Sequence, residues 1–408
     1  MKKLSTFIAE SKNTHMEHLE DMIFNDGVDG ARLAITSLQN LRDMLAGNSK
    51  GKVNVTVKWD GAPAIFAGVD PADGKFFVAK KGIFNVNPQL FKSQADINKS
   101  LSGDLAVKFR VALREFAKLG IKKGVYQGDL MFTKGDLKVT TIGGEKYYTF
   151  QPNTIVYAVP VNSSLGAKIK RASIGVVWHT TYTGRQINQM KASFGKGIVS
   201  KMRQSNSVWM DDATYRDVSG NATFTAKETE AVTTLLSQAG KQFHSVQSKV
   251  LNVIRDDDEL KQKIKTFNNT YVRAGVPFPD VDTHVKELFQ YIMDWYQKEI
   301  DKKKTEKSKQ DWTAKRDRVA SLVFANVNQL KEIFRLMNLI VQAKQLIIDK
   351  MNKASSLGTF LRYANGFEVT NQEGYVAIDK IGNAVKIVDR LEFSKANFSP
   401  EVLKGWQK

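Results

Sequence analysis

The stretch VNVTVKWDGAPAIFAG, residues 53–68, carries Lys58 out of an apolar alternation and into a Trp59–Asp60–Gly61 turn. A primary amine at such a point can attack phosphorus, but only once it has lost its proton. Free lysine titrates near ~10.4, so this chemistry needs desolvation or neighbouring positive charge. Lys80 and Lys81, in VAKKG at 78–82, are placed in sequence to supply such charge and to stabilise a phosphate. Alone, a lysine at a strand end reads first as a solvated surface residue, and the ordered company of further motifs changes that reading.

Those motifs are YQGDLMF at 126–132 with Asp129, EGYVA at 373–377 with Glu373, and AVKIV at 384–388 with Lys386. In this order the chain resembles the covalent nucleotidyltransferase superfamily, most closely its ATP-dependent RNA ligases. KWDG is similar to the nucleotidyl-lysine motif, AKKG to the basic-glycine motif that follows it, GDL to the acidic strand motif, EGYVA to the later acidic motif and VKIV to a reduced terminal lysine motif. The resemblance covers about 51–160 and 360–395.

The resemblance implies that Lys58 attacks the alpha phosphate of ATP, expels pyrophosphate and holds AMP through a phosphoramidate. A polynucleotide 5' phosphate then accepts the AMP, and a 3' hydroxyl displaces it to form a phosphodiester. Asp60, Gly61 and Lys80 would contact the nucleotide, and Tyr157 in IVYAV would stack on adenine. The simpler reading of Tyr157 is a packed core aromatic. Asp129 and Glu373 would hold Mg2+, with Mn2+ as a substitute, and Lys386 would approach phosphate from a returning strand. Lys81 would secure nucleic-acid phosphate. The related enzymes often carry two lysines separated by one residue in the terminal motif, whereas here Ile387 and Val388 follow Lys386. Arg390 or Lys395 is then the nearest replacement charge.

Positioning these residues requires a sheet. Short strand patterns, NVTVKW, PAIFAGV and KFFVAK, are joined by DGA and DPADG turns between 51 and 84, and the second pair predicts a hairpin. Leu105, Phe109, Leu113 and Phe116 mark a helix, followed by strand patterns through 182. Helical stripes follow: Val285, Leu288, Ile292 and Trp295, then Val323, Val327, Leu330, Phe334, Met337 and Val341. Strand patterns return in GTFLRYANGFEV, EGYVAIDKIG and AVKIVDRLEF. A terminal strand pair cannot bury both faces alone, which predicts that it completes the early sheet and that the helices are inserted.

The expected fold is therefore alpha+beta: a split adenylation domain of antiparallel sheets with a large helical insertion. The corresponding divisions are a helical extension at 1–50, the first sheet part at 51–184, the helical module at 185–360 and the closing part at 361–408. The leading helix is marked by Ala34, Leu38, Leu41 and Leu45 before the stop AGNSKG.

The formal net charge of +19 over 408 residues points to a polyanionic partner. By the resemblance this is nucleic acid with 5'-phosphate and 3'-hydroxyl ends, RNA favoured. The run DKKKTEKSKQDWTAKRDR, with eight Lys or Arg against four acids, reads either as a phosphate contact or as a solvated helical face. A DNA nick ligase and a noncatalytic nucleic-acid binder on the same scaffold are the alternatives. There is no cysteine, which excludes disulfides and thiolate chemistry. The five histidines show no metal-ligand spacing, and GIKKG and IGGEK fall short of a phosphate-loop pattern. With no apolar run of membrane-spanning length, the expected location is the cytoplasm or another soluble intracellular compartment.

Overall fold

The computed structural model describes residues 17–48, 53–194, 197–215, 221–354, 357–379 and 384–407. Its first long element forms as its apolar spacing dictates. After α1 (Met22–Asn25), α2 (Gly27–Leu45) buries Ala34, Leu38, Leu41 and Leu45 along one face. The chain then enters β1 (Val53–Lys58), β2 (Ala64–Val69) and β3 (Phe76–Ala79), crosses α3 (Gln94–Ser100) and α4 (Gly103–Phe116), and returns in β4 (Val125–Thr133), β5 (Lys138–Ile142), β6 (Glu145–Phe150) and β7 (Val156–Pro160). After α5 (Ser164–Arg171) come β8 (Ile174–Thr183), β9 (Lys191–Phe194) and β10 (Val208–Asp212).

Six helices follow: α6 (Ala226–Ser245), α7 (Ser248–Asp256), α8 (Asp258–Ala274), α9 (Val281–Asp301), α10 (Glu306–Ala325) and α11 (Val327–Asn352). The chain then closes with β11 (Gly358–Tyr363), β12 (Gly366–Val369), β13 (Gly374–Asp379), β14 (Ala384–Ile387) and α12 (Arg390–Phe398). The fold is alpha+beta, with a large helical insertion, α6–α11, between sheet-forming regions.

Three sheets divide the strands. The smallest has the order β1-β13-β14, the largest β10-β8-β4-β2-β3 with β9 on β8, and the third β12-β11-β7-β6-β5. Among the described strands, pairing is antiparallel except between β10 and β8. The closing strands join the early ones, as the sequence predicts: β13 pairs with β1 and β11 with β7. The β2–β3 hairpin is also present.

Sequence and structure differ at three boundaries. Strands β9 and β10 still belong to the largest sheet, so the helical insertion begins after residue 185, at α6. The stripe from Val323 to Val341 is divided between α10 and α11 at Asn326, whose side-chain amide donates to the Leu322 carbonyl at 2.8 Å. RLEF forms the start of α12, not a strand.

One core joins α2, the inserted helices and one face of the smallest sheet, with Val53, Val55, Tyr375, Ala377, Val385 and Ile387 packed among helical residues. The helical insertion therefore sits directly on the strands that carry Lys58 and Lys386. No helix among the described residues is long and apolar enough to cross a membrane.

Candidate active site

Antiparallel pairing of β1 with β13 sets Lys58 opposite Gly374, one residue from Glu373. The Lys58 ammonium contacts the Glu373 carboxylate directly, although 315 residues separate them in the chain. Gly374 makes the approach possible. Its φ is +149°, and a Cβ there would lie 2.7 Å from the Ile387 carbonyl oxygen.

Trp59 and Asp60 fix the chain just past Lys58. The Trp59 ring packs on Tyr157 with centroids 5.1 Å apart. Asp60 is buried and accepts from Asn153 Nδ2 (2.6 Å), Thr154 N (2.7 Å) and Ile155 N (2.8 Å). Its own amide donates to the Tyr157 hydroxyl at 2.8 Å. The turn is thus a side-chain-to-backbone clasp that leaves Lys58 at its open end.

The next residue, Gly61, runs against β4. A Cβ on Gly61 would sit 2.5 Å from the Asp129 Cβ, so only glycine lets the turn lie this close. Asp129 itself is set by pairing of β4 with Ala64 of β2 and Val177 of β8. Burial pushes the Asp129 carboxyl up to about 7, against the pull of Lys58 and with Asp60 adding to the rise. Glu373 is likewise raised to about 7 by burial, opposed by Lys58 and reinforced by Asp60 and Asp129.

Lys386 stands on β14 opposite Val376 and is half-buried. Burial lowers its pKa, and the positive charge of Lys58 adds to the effect while Glu373 opposes it. Lys58, Asp129, Glu373 and Lys386 therefore form one electrostatic group, drawn from β1, β4, β13 and β14.

His179 belongs to this group and carries no recognisable signal in the sequence. Register shifts between β4 and β8: Gln127 faces Thr180 but Gly128 faces Trp178, leaving His179 as the extra residue of a bulge. Such bulges re-aim side chains. Here Nε2 comes to 3.8 Å from Asp129 Oδ2, while Nδ1 is 2.7 Å from the Thr180 hydroxyl. Burial pushes the imidazole down to about 4, so it is neutral at ordinary pH.

Three expected site residues have other surroundings. Tyr157 is fully buried between Trp59 and Phe150, so it offers no open face to an adenine ring. The Asp60 carboxylate is turned inward and occupied by three donors, which makes it an anchor for the turn instead of a nucleotide ligand. Arg390 is buried at the start of α12, donating to Glu20 (3.3 Å) and Asp21 (3.0 Å), and it also bonds Asn269. Its charge is satisfied inside the protein, away from a nucleic-acid phosphate.

Lys80 follows β3 and emerges at the end of the hairpin where β2 meets Asp129, with exposed Lys81 next to it. The Lys395 side chain lies outside the described residues. In the run 301–318 the basic side chains largely pair with acids: Lys302 with Glu299 (2.7 Å), Lys309 with Glu306 (3.1 Å) and Arg316 with Asp317 (2.9 Å). Trp312 is covered by Lys303 and Lys315, 4.1 and 5.0 Å from its ring centroid. The basic side chains of this run are thus mostly engaged within the helices.

Among the described residues no group of three or more His, Asp or Glu converges as a metal cage. Asp129 and Glu373 are the two raised carboxyls of the electrostatic group around Lys58.

No curated protein and no solved structure matches the chain. A family model described only as a family of unknown function, DUF6267, matches residues 13–402. The chain belongs to that family.

Proposed function

We propose that the protein is an ATP-dependent polynucleotide ligase, with RNA the favoured substrate, working through a nucleotidyl-lysine at Lys58. The observation that carries this reading is the contact between Lys58 and Glu373 at the meeting of two distant strands, with Asp129 and Lys386 around it. A lysine ammonium beside a carboxyl whose proton affinity has been raised is an amine with a proton acceptor in place.

In the first step the Lys58 proton passes to Glu373 and the Nζ lone pair attacks the alpha phosphorus of ATP. The N–P bond forms as the bond to the bridging oxygen breaks, and pyrophosphate leaves with that electron pair. Lys386 supplies positive charge to the phosphates, which acts most strongly where charge develops in a dry site. In the second step a 5'-phosphate oxygen attacks the same phosphorus, the N–P bond breaks and Lys58 regains a proton. In the third a 3' hydroxyl attacks the activated 5' phosphorus and gives its proton to solvent, the P–O bond to AMP breaks with AMP taking the electron pair, and the phosphodiester remains.

Asp129, joined by Glu373 once that carboxyl has passed the Lys58 proton on to solvent, would hold Mg2+ or Mn2+, which supplies neutralisation of phosphate charge when bound. His179, neutral and 3.8 Å from Asp129, stands beside that carboxyl. Asp60 and Trp59 hold the nucleophile's turn in place.

The test is ligation of matched 5'-phosphorylated RNA and DNA strands with ATP and a divalent cation. Joined product and an adenylated-strand intermediate are expected, both lost in Lys58→Ala. A folded protein that binds the strands and yields neither species with Mg2+ or Mn2+ would favour a noncatalytic nucleic-acid binder.

A further inference from the structure

The positive charge is unevenly placed. Residues 117–203 hold fourteen Lys or Arg against three acids, whereas the helical insertion at 226–352 holds twenty-two against seventeen. The excess therefore resides in the sheet region around Asp129, although the most conspicuous lysine run lies in the helices.

Strand pairing gathers part of this excess at one end of the largest sheet. Val125, at the start of β4, pairs with Tyr182, and Thr183 pairs with Lys191. Lys122, Lys123, Arg185 and Lys191 thus share that end. Arg203 joins them because its amide donates to the Leu119 carbonyl at 2.8 Å, and Lys201 lies two residues away. All six are exposed, and none has an ion pair with a described residue. Like charges so grouped repel one another, and a bound polyanion relieves that repulsion.

Between this end and Asp129 lies an aromatic step. Along β4, Val125, Gln127 and Asp129 face the same side by alternation. The Tyr182 hydroxyl donates to Gln127 Oε1 at 2.6 Å, which puts its ring on that side, and Phe84 packs on it with centroids 4.5 Å apart. Both rings are half-buried. From Lys123 to Asp129 the strand spans ~20 Å. Cations that track a backbone, combined with rings that accept bases, form the recognition surface of single-stranded nucleic acid.

We infer that single-stranded nucleic acid is bound along a track that crosses the Lys122–Arg203 rim at this end of the largest sheet and runs over Phe84 and Tyr182 to Asp129, with Lys191 and Arg203 on the far side of the rim from the two rings. The track relies on the ligase reading only for which end of the strand reaches Lys58. It places the polyanion on the sheet and not on the helical insertion.

Fluorescence anisotropy of the full chain with a 5'-phosphorylated RNA of about twenty nucleotides tests it. The triple variant K122A/K123A/R203A should bind about tenfold or more weakly near ~0.15 M salt, with the log–log salt slope flattened by about 2. Phe84→Ala should weaken binding by about tenfold with the slope unchanged, because stacking releases no counterions. K304A/K307A, exposed lysines on the helical insertion, should bind within about twofold of wild type. Unchanged binding in the triple variant, a larger loss in the helical control, or binding to anionic vesicles but not to RNA would overturn the track. A track that behaves as described in a protein that forms no AMP adduct would count against the ligase reading alone. Adduct formation with binding indifferent to the triple variant would count against the track alone.

Discussion

Lys58 and Glu373 touch across 315 residues of chain because β1 and β13 are neighbours in one small sheet. Inserted between them in sequence are both larger sheets' strands and a six-helix module. The contact is the junction of the split fold, so changes that loosen the junction should be felt at the amine.

Gly61 gives a direct probe of the turn. With Ala at this position the new Cβ would meet the Asp129 Cβ at 2.5 Å, and either the turn or β4 must shift. A loss of about 1–3 kcal/mol in denaturant stability is expected, together with a fall in AMP transfer larger than that stability loss explains. Parallel urea titration and adenylation assays at a temperature where both proteins are folded would check this.

The carboxyl pair makes cation use depend on pH. Both Asp129 and Glu373 are raised to about 7, so protons compete with the cation below that value and the apparent requirement for Mg2+ should fall as pH rises through 7. Without cation, the folded state binds more protons than the unfolded one between the unperturbed carboxyl range and 7, so the pair's contribution to stability declines as pH rises through that window. Asp129→Asn should raise the Mg2+ needed for half-maximal adduct formation and flatten its pH dependence. A cation titration at several pH values measures both.

Much of this arrangement is legible in sequence. The alternation around Lys58, the hairpin after it and the returning strands at 374–387 predict a split sheet because their apolar patterns cannot be buried otherwise. What pattern cannot convey is side-chain direction at irregular points. His179 reaches Asp129 only through a bulge, Asp60 turns inward because three donors from residues 153–155 await it, and Arg390 is claimed by acids at the other end of the chain. The helical boundary at Asn326 is equally hidden, since the apolar stripe continues across it.

Glu20 should be a stability determinant. It is buried, accepts two bonds from Lys344 of α11 at 2.9 Å, and accepts a third from Arg390. Burial raises its pKa, but Lys344, Arg390 and His18 together outweigh burial and lower it to about 2. Glu20→Ala leaves two buried cations short of a partner, and a loss of about 3–5 kcal/mol is expected. Equilibrium denaturation would test it, and a loss below ~1 kcal/mol would show that the cluster rearranges freely.

Acid should weaken the helical insertion through His284. The ring stacks on Phe334 with centroids 4.2 Å apart, and its Nε2–H donates to Asn268 Oδ1 at 3.0 Å. Burial pushes its pKa down to about 4, while the unfolded chain takes up the proton near 6.5. The unfolded state therefore binds more protons in that interval, and stability is lost as pH falls from 6.5 to 4, by about 3 kcal/mol at most. His284→Phe should be less stable at neutral pH and show a flatter slope across this range in thermal melts.

The most direct measurement is the position of AMP after incubation with alpha-labelled ATP and a divalent cation, read by peptide mass mapping. An acid-sensitive adduct on Lys58, absent from folded Lys58→Ala and Lys58→Arg, is the expected result. A folded wild-type chain that carries no label with either Mg2+ or Mn2+, or carries it on another side chain, would contradict nucleotidyl transfer at this lysine.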